Sequence, residues 1–181
     1  MQLTKWFSRL FNRLNLMGKL IHLYRIKKVK QVIKKLHEIN KIPNSGGRII
    51  NYLRKINPYV FEELVLTVIE NSNIHVIRNK RYSGDGGIDG IFKIKQGKVL
   101  VQCKRYGGYI NNKDVIELTR LVKEKKYYFG IFVHTGKTGD KSKATIKLEK
   151  NVIFISGSLL VSLILGELKI DSHIEKKLIG C

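Results

Sequence analysis

The chain opens with a long amphipathic pattern that predicts one helix over residues 2–40. Its apolar residues recur at alternating steps of four and three, at Leu3, Phe7, Leu10, Leu14, Met17, Ile21 and Tyr24. The stripe then drifts around the helix to Ile26, Val29, Ile33 and Leu36. Proline, asparagine and two adjacent glycines in residues 42–47 should end this helix and form a linker. We therefore predict an amphipathic helical arm and linker over residues 1–47 and a second domain over residues 48–181.

Residues 48–181 alternate between strand-like and helix-like patterns. Asn57 and Pro58 are a favourable N-cap and first helical residue, so a helix should begin there. Apolar runs predict strands at about 74–79, 88–94, 99–106, 127–134 and 152–155. Further helices are predicted from Asn111 or Asn112 to about 125, over about 140–150 and over about 159–165, before an amphipathic tail. Strands joined through helices are typical of an α/β sandwich around a mixed sheet.

The chain is strongly basic, with 35 Lys and Arg against 14 Asp and Glu and a formal charge of +21. Residues 1–50 hold 12 of the basic residues but a single acid, Glu38, so the arm has the highest charge density. This charge favours a polyanionic partner, either nucleic acid or an anionic membrane surface. No apolar run is long enough to span a bilayer, and two cysteines make a disulfide framework improbable. We expect a cytoplasmic protein, with membrane association through the arm as an alternative.

Candidate chemistry gathers around a glycine-rich turn at residues 84–90, which reads Gly-Asp-Gly-Gly-Ile-Asp-Gly. Asp89 lies in this turn, and Gln102 follows 13 residues later on a predicted strand. Side chains alternate between the two faces of a strand. One face of this strand would carry Leu100, Gln102 and Lys104, and the other would carry Val99, Val101 and Cys103. The first face becomes polar towards its carboxyl end, where the sites of α/β proteins gather.

These residue types suit the hydrolysis of a phosphodiester bond with the help of a divalent metal ion. Hydrolysis near neutral pH needs an activated water and neutralisation of the charge that builds on the phosphate, and Mg²⁺ provides both. Mg²⁺ (or Mn²⁺) prefers oxygen ligands, so Asp89 and Gln102 are candidate metal ligands. Lys104 could orient or deprotonate the water and stabilise charge. Glu62, on the first helix of the second domain, is a candidate ligand through water or to a second ion.

Here the chain resembles a known family. Phe61-Glu62, the turn 84–90 and Val101-Gln102-Cys103-Lys104-Arg105-Tyr106 look like the catalytic domain of Mrr-type restriction endonucleases, in the PD-(D/E)xK nuclease superfamily. The likeness extends through residues 130–135 and 153–160. It covers roughly residues 57–166 and leaves out residues 1–50, which look like a helix and not like the winged-helix reader that Mrr-type enzymes often carry.

The resemblance implies a restriction-endonuclease-like α/β/α sandwich and a Mg²⁺-dependent DNA endonuclease of restriction, mobile-element or defence systems. It assigns Asp89 as the metal-binding acid and Lys104 as the catalytic lysine. Gln102 stands where most of the superfamily has an acid, as is typical of the Mrr branch. Glu62 would be the helix acid.

Other residues near these motifs carry weaker signals. Three basic residues are candidates for phosphate contacts: Lys80, Arg105 and Lys113. Asp85 could cap the glycine turn, and Glu63 is expected to be an exposed helix carboxylate. His134 at a strand end and Cys103 within a strand fit structural roles better than catalytic ones.

The arm and the second domain each have more than one interpretation. The arm could lie on a membrane with Trp6, Phe7 and Phe11 in the interface, pair with itself or a partner helix through residues 3–36, or bind DNA through phosphate contacts. The second domain could be a catalytically silent DNA-binding module, tethered by the arm to a membrane or a larger complex. It could also be a structure-selective, junction-resolving nuclease, for which the same residues would serve.

Overall fold

A computed structural model of the protein describes the backbone of residues 2–79, 87–149 and 151–179, and the side chains of 20–79, 87–149 and 151–175. The helices are α1 (Gln2–Asn40), α2 (Gly46–Leu53), α3 (Pro58–Glu70), α4 (Asn112–Glu124), α5 (Asp140–Leu148), α6 (Gly157–Ile164) and α7 (Ile170–Ile179). The strands are β1 (Val76–Arg78), β2 (Gly90–Ile94), β3 (Gly97–Lys104), β4 (Phe129–His134) and β5 (Val152–Ile155).

The strands of the described residues form one mixed sheet in the order β1-β2-β3-β4-β5. The pairs β1–β2 and β2–β3 are antiparallel, whereas β3–β4 and β4–β5 are parallel. Parallel neighbours need a crossover connection, and α4 and α5 supply these connections. The predicted α/β sandwich around a mixed sheet is confirmed.

Alternation along β3 separates the two cores of the sandwich. Val99, Val101 and Cys103 belong to the larger core, which contains residues of α1, α2, α3, α6 and α7. Leu100 belongs to the smaller core, which is formed mainly with α4. The predicted division of the β3 side chains between two faces is therefore observed, and it directs the polar end of β3 away from the larger core.

Asparagine side chains fix the starts of α3 and α4. Asn57 accepts a hydrogen bond from the N–H of Tyr59 at 2.9 Å, and Pro58 occupies the first helical turn. Asn111 accepts from the N–H of Lys113 at 3.0 Å, so Asn111, not Asn112, is the N-cap of α4. Capping by asparagine satisfies N–H groups that the helix leaves unpaired, so both helices begin as predicted.

Helix α2 was not expected, because Gly46 and Gly47 suggested that the linker continued. A glycine costs helix stability relative to alanine, by roughly 1 kcal/mol. Ile49 and Leu53, four residues apart, are nevertheless completely buried in the larger core. Burial of this apolar pair outweighs the poor helix propensity of the two glycines.

Helix α1 follows the predicted bounds and packs through its C-terminal half into the larger core. Val29, Val32 and Leu36 are buried there, so part of the predicted pairing stripe is used within the chain itself. The side chains of residues 1–19 lie outside the described part, as do Trp6, Phe7 and Phe11. Pairing through residues 3–36 and a domain boundary after residue 47 stay predictions. Among the described helices, none has the length and apolar character needed to cross a membrane.

Candidate active site

Asp89 is held at the start of β2 by backbone hydrogen bonds. Its N–H donates to the carbonyl of Val101 at 3.0 Å, although Gly90 is the residue paired with Val101 in the sheet. Asp89 and the first residue of β2, Gly90, therefore both face Val101, as the two residues of a β-bulge do. Asp89 Oδ2 accepts a 2.6 Å hydrogen bond from the N–H of Cys103. The carboxylate is therefore fixed between β2 and β3.

Glu62 and Lys104 join Asp89 in a cleft of about 470 Å³. Glu62 comes from the second turn of α3, and Lys104 is the last residue of β3. The three side chains come from separate segments of the chain and line the same cleft. The fold thus brings together three of the four residues that the sequence suggested as catalytic.

Gln102, the fourth predicted residue, is buried with 1% of its surface exposed and lies against Gly87. A Cβ atom placed on Gly87 would lie 2.3 Å from Gln102 Nε2 and 3.9 Å from Lys104 Nζ. Both side chains therefore reach the same stretch of backbone, as expected for neighbours on one face of β3. Gly87 also has a φ of +77°, in the left-handed region that favours glycine.

Burial and like charge both disfavour the ionised carboxylates of the cleft. Burial, followed by the negative charge of Glu62, raises the pKa of Asp89 to about 7, against the opposing effects of the Cys103 N–H and Lys104. Burial likewise raises the pKa of Glu62, while the charges of Arg25 and Lys104 act in the opposite direction. A cation bound between the two carboxylates would remove this penalty.

The residues present fit a hard divalent cation such as Mg²⁺. Carboxylate and amide oxygens are suitable ligands, and Mg²⁺ usually keeps several waters, so two carboxylates can suffice. Within the described residues, no group of three His, Cys, Asp or Glu is placed to hold a metal ion. The amide oxygen of Gln102, a backbone carbonyl and water would therefore have to complete the ligand set.

A family model described as Mrr_cat, restriction endonuclease, matches residues 53–164, which is more than half of the chain. The chain belongs to this family. The predicted resemblance is confirmed, and the Mrr_cat match contains Glu62, Asp89, Gln102 and Lys104. No curated protein matches the sequence.

One solved restriction endonuclease shares the fold, and two others align with lower TM-scores. MspJI in complex with a 27-mer oligonucleotide aligns with a TM-score of 0.51 at 18% identity, covering 76% of this chain and 36% of MspJI. The modification-dependent enzyme AspBHI gives 0.45 at 18% identity, covering 75% and 39% of the two chains. The small subunit of heterodimeric R.BspD6I gives 0.48 at 14% identity, covering 83% and 87%. The chain thus spans under two fifths of MspJI and AspBHI.

Glu63 differs from its expected role as an exposed helix carboxylate. Only 6% of it is exposed, and it accepts hydrogen bonds from Arg78 Nε at 2.7 Å and from the Thr67 hydroxyl at 3.4 Å. Arg78 also bonds Glu70 at 2.8 Å, so one guanidinium joins two carboxylates of α3 to β1. The prediction of exposure was wrong because this Mrr_cat domain packs α3 beside β1, where Arg78 carries the opposite charge.

The predicted DNA-binding residues have different surroundings. Arg105 is exposed, lines the cleft and donates to the backbone carbonyl of Arg54. Lys113 is exposed in the first turn of α4 and does not line the cleft. Lys80 and Asp85 lie outside the described residues. Phosphate contacts by all three basic residues stay predictions.

Two residues of α1, His22 and Arg25, line the cleft beside Glu62 although the sequence placed them in a separate arm. Their position follows a spacing that was available in the sequence. His22, Arg25, Val29, Val32 and Leu36 are separated by steps of three and four, which puts them on one helix face. The apolar residues of this face pack into the larger core, and the two polar residues that precede them on the same face therefore line the cleft.

His134 is fully buried at the end of β4, with its ring 5.5 Å from that of Phe132 and 5.3 Å from that of Phe154. Burial lowers its pKa from 6.5 to about 4, against a smaller opposing effect of the Gly136 backbone. The imidazole is therefore neutral at neutral pH and packs as an aromatic ring. Cys103 is also a core residue, and burial raises the pKa of its thiol.

We expect His134 to make the protein less stable as the pH falls from about 6.5 towards 4. The unfolded chain binds the imidazole proton near pH 6.5, whereas the folded chain binds it only near pH 4. Between about pH 7.5 and 5 the free energy of unfolding should fall by about 2 kcal/mol more in the wild type than in His134→Phe. Urea denaturation of both proteins at the two pH values measures this. Equal losses in both proteins would contradict the expected result.

Proposed function

We propose that the protein is a metal-dependent DNA endonuclease that hydrolyses phosphodiester bonds. The observation that carries this proposal is the shared cleft of Glu62, Asp89 and Lys104 in a chain of a restriction endonuclease family. Its biological setting would be restriction or another defence against foreign DNA, which the family membership supports. The large positive charge of the chain suits a polyanionic substrate.

Asp89 and Glu62 would hold the ion, together with the amide oxygen of Gln102. When bound, Mg²⁺ or Mn²⁺ would lower the pKa of a water molecule and neutralise charge on the phosphate. Lys104, next to Asp89 and Gly87, would orient that water and stabilise the developing negative charge with its ammonium group. The Cys103 N–H keeps the Asp89 carboxylate in place during these events.

Incubation of the purified protein with supercoiled plasmid and Mg²⁺, Mn²⁺ or EDTA tests the proposal. We expect nicked or linear product with either metal and none with EDTA. Asp89→Asn, purified in parallel, controls for a contaminating nuclease and should give no product. Asn keeps an oxygen that can accept from the Cys103 N–H but loses the charge that attracts the cation.

Thermal melting gives a second readout that does not depend on the choice of substrate. Mg²⁺ binding to the folded state should raise the melting temperature of the wild type and leave that of Asp89→Asn unchanged. A wild type that binds DNA but neither cleaves it nor responds to the metals would point instead to the tethered DNA-binding module. Preference for branched over linear DNA in the same assay would identify a structure-selective nuclease.

A further inference from the structure

A role of helix α1 in the nuclease cleft rests on the proposed function. Helix α1 is fastened to the rest of the molecule by buried Val29, Val32 and Leu36. Arg25 lies one turn before Val29 on the same helix face, so the anchored half of α1 carries it over α3. One turn before Arg25, Nδ1 of His22 lies 3.6 Å from Oε2 of buried Glu63. These contacts place α1 beside the cleft in a defined orientation.

Arg25 has the surroundings of a residue that binds an anion at the cleft. Its guanidinium carbon lies 4.7 Å from the centre of the Tyr59 ring, and both residues line the cleft together with Glu62 and Lys104. An aromatic face fixes the plane in which a guanidinium can donate its hydrogen bonds. This is the arrangement that suits bidentate contact with a phosphate.

We propose that α1 completes the nuclease cleft and that Arg25 binds a backbone phosphate of the DNA substrate. The family model matches residues 53–164, so Arg25 lies outside the part of the chain that this model covers. Its position beside Glu62 places the bound phosphate at the wall of the cleft formed by α1 and α3. The arm would then be part of the DNA-binding surface of the enzyme, in addition to any role of its first 19 residues.

Binding of a fluorescently labelled DNA duplex, followed by anisotropy in EDTA so that no cleavage occurs, tests this proposal. Arg25→Ala should weaken binding about tenfold and lower the slope of log K against log salt by about one. Lys27→Ala is the matched control, because Lys27 is an exposed cation two residues away on the opposite side of α1. Its binding should stay within about twofold of the wild type. Arg25→Lys should fall between the two, since it keeps the charge but loses the bidentate contact.

Steady-state cleavage with Mg²⁺ separates a binding role from a purely structural one. The Arg25→Ala variant should raise KM about tenfold and leave kcat within about threefold, since a ground-state phosphate contact acts on binding. If Arg25→Ala melts at a markedly lower temperature, Arg25→Gln replaces it, which keeps most of the side-chain length. Equal binding losses in Arg25→Ala and Lys27→Ala, or no loss in either, would overturn the inference. A wild type that binds DNA but does not cleave it would refute the nuclease proposal, while the anisotropy comparison would still decide the role of Arg25.

Discussion

Replacing Lys104 with alanine is expected to lower the rate of DNA cleavage by about a hundredfold or more. The charge of Lys104 acts on both Asp89 and Glu62, and its Nζ lies close to the Gly87 backbone. Removal of the ammonium group would leave the attacking water without its orienting group and the developing charge without a nearby cation. The fold should survive, because Lys104 is only partly buried at the end of β3.

Lys98→Ala is the control for this prediction. Lys98 is an exposed lysine on the same strand, an even number of residues from Lys104, and does not line the cleft. It should cleave plasmid at the wild-type rate in the same Mg²⁺ assay, and both variants should give the wild-type circular dichroism spectrum. Retention of metal-dependent cleavage by Lys104→Ala would remove Lys104 from the mechanism.

Local patterns were sufficient to predict most of the sheet and the three catalytic candidates that line the cleft. Alternation in β3 predicted two differently packed faces because a strand has a period of two, and Gln102 and Lys104 follow that period. The turn before β2 predicted where a carboxylate would stand because glycines allow the backbone to approach other groups closely. The caps of α3 and α4 could be predicted because an asparagine side chain accepts a hydrogen bond from the N–H group two residues later.

The parts that were missed depend on contacts between distant segments. Arg25 and His22 belong to the cleft only because three apolar residues further along α1 are buried against the core. Glu63 looks like a surface residue until Arg78, 15 residues later, is placed beside it. Periodicity identifies an apolar face, but it does not say which other element covers that face. The heptad-like spacing was therefore compatible equally with self-pairing and with docking onto the domain.

The two ionised carboxylates of the cleft lower the stability of the folded protein. Asp89 and Glu62 are brought together where burial and mutual repulsion oppose their charges. Hydrophobic side chains at these positions would face no such penalty. Lys104 and Arg25 reduce it, and their charges are also suited to a phosphate. Such carboxylates become favourable when a cation binds them, and the basic residues become favourable when an anion binds them. This is expected of a site that binds a metal ion together with a phosphate.

Gly87→Ala is the second prediction with a large effect, and we expect it to lower cleavage about a hundredfold, since displacements of about 1 Å can cost this much. A Cβ atom at Gly87 would overlap Gln102 Nε2 at 2.3 Å. The overlapping atom is the end of a flexible side chain, so Gln102 can move aside and the fold can persist. That movement displaces the amide proposed to bind the metal and disturbs neighbouring Lys104.

Gly166→Ala separates this displacement from backbone strain. Gly166 has the same φ of +77° as Gly87, but nothing lies within 4 Å of its would-be Cβ atom. Alanine at either position should therefore cost about 1–2 kcal/mol of stability for the left-handed backbone, measured by urea denaturation. Only Gly87→Ala should lose cleavage in the Mg²⁺ plasmid assay. Wild-type cleavage by both variants would mean that Gln102 is not needed where the structure places it. The metal ligands would then have to be Asp89, Glu62 and backbone carbonyls alone.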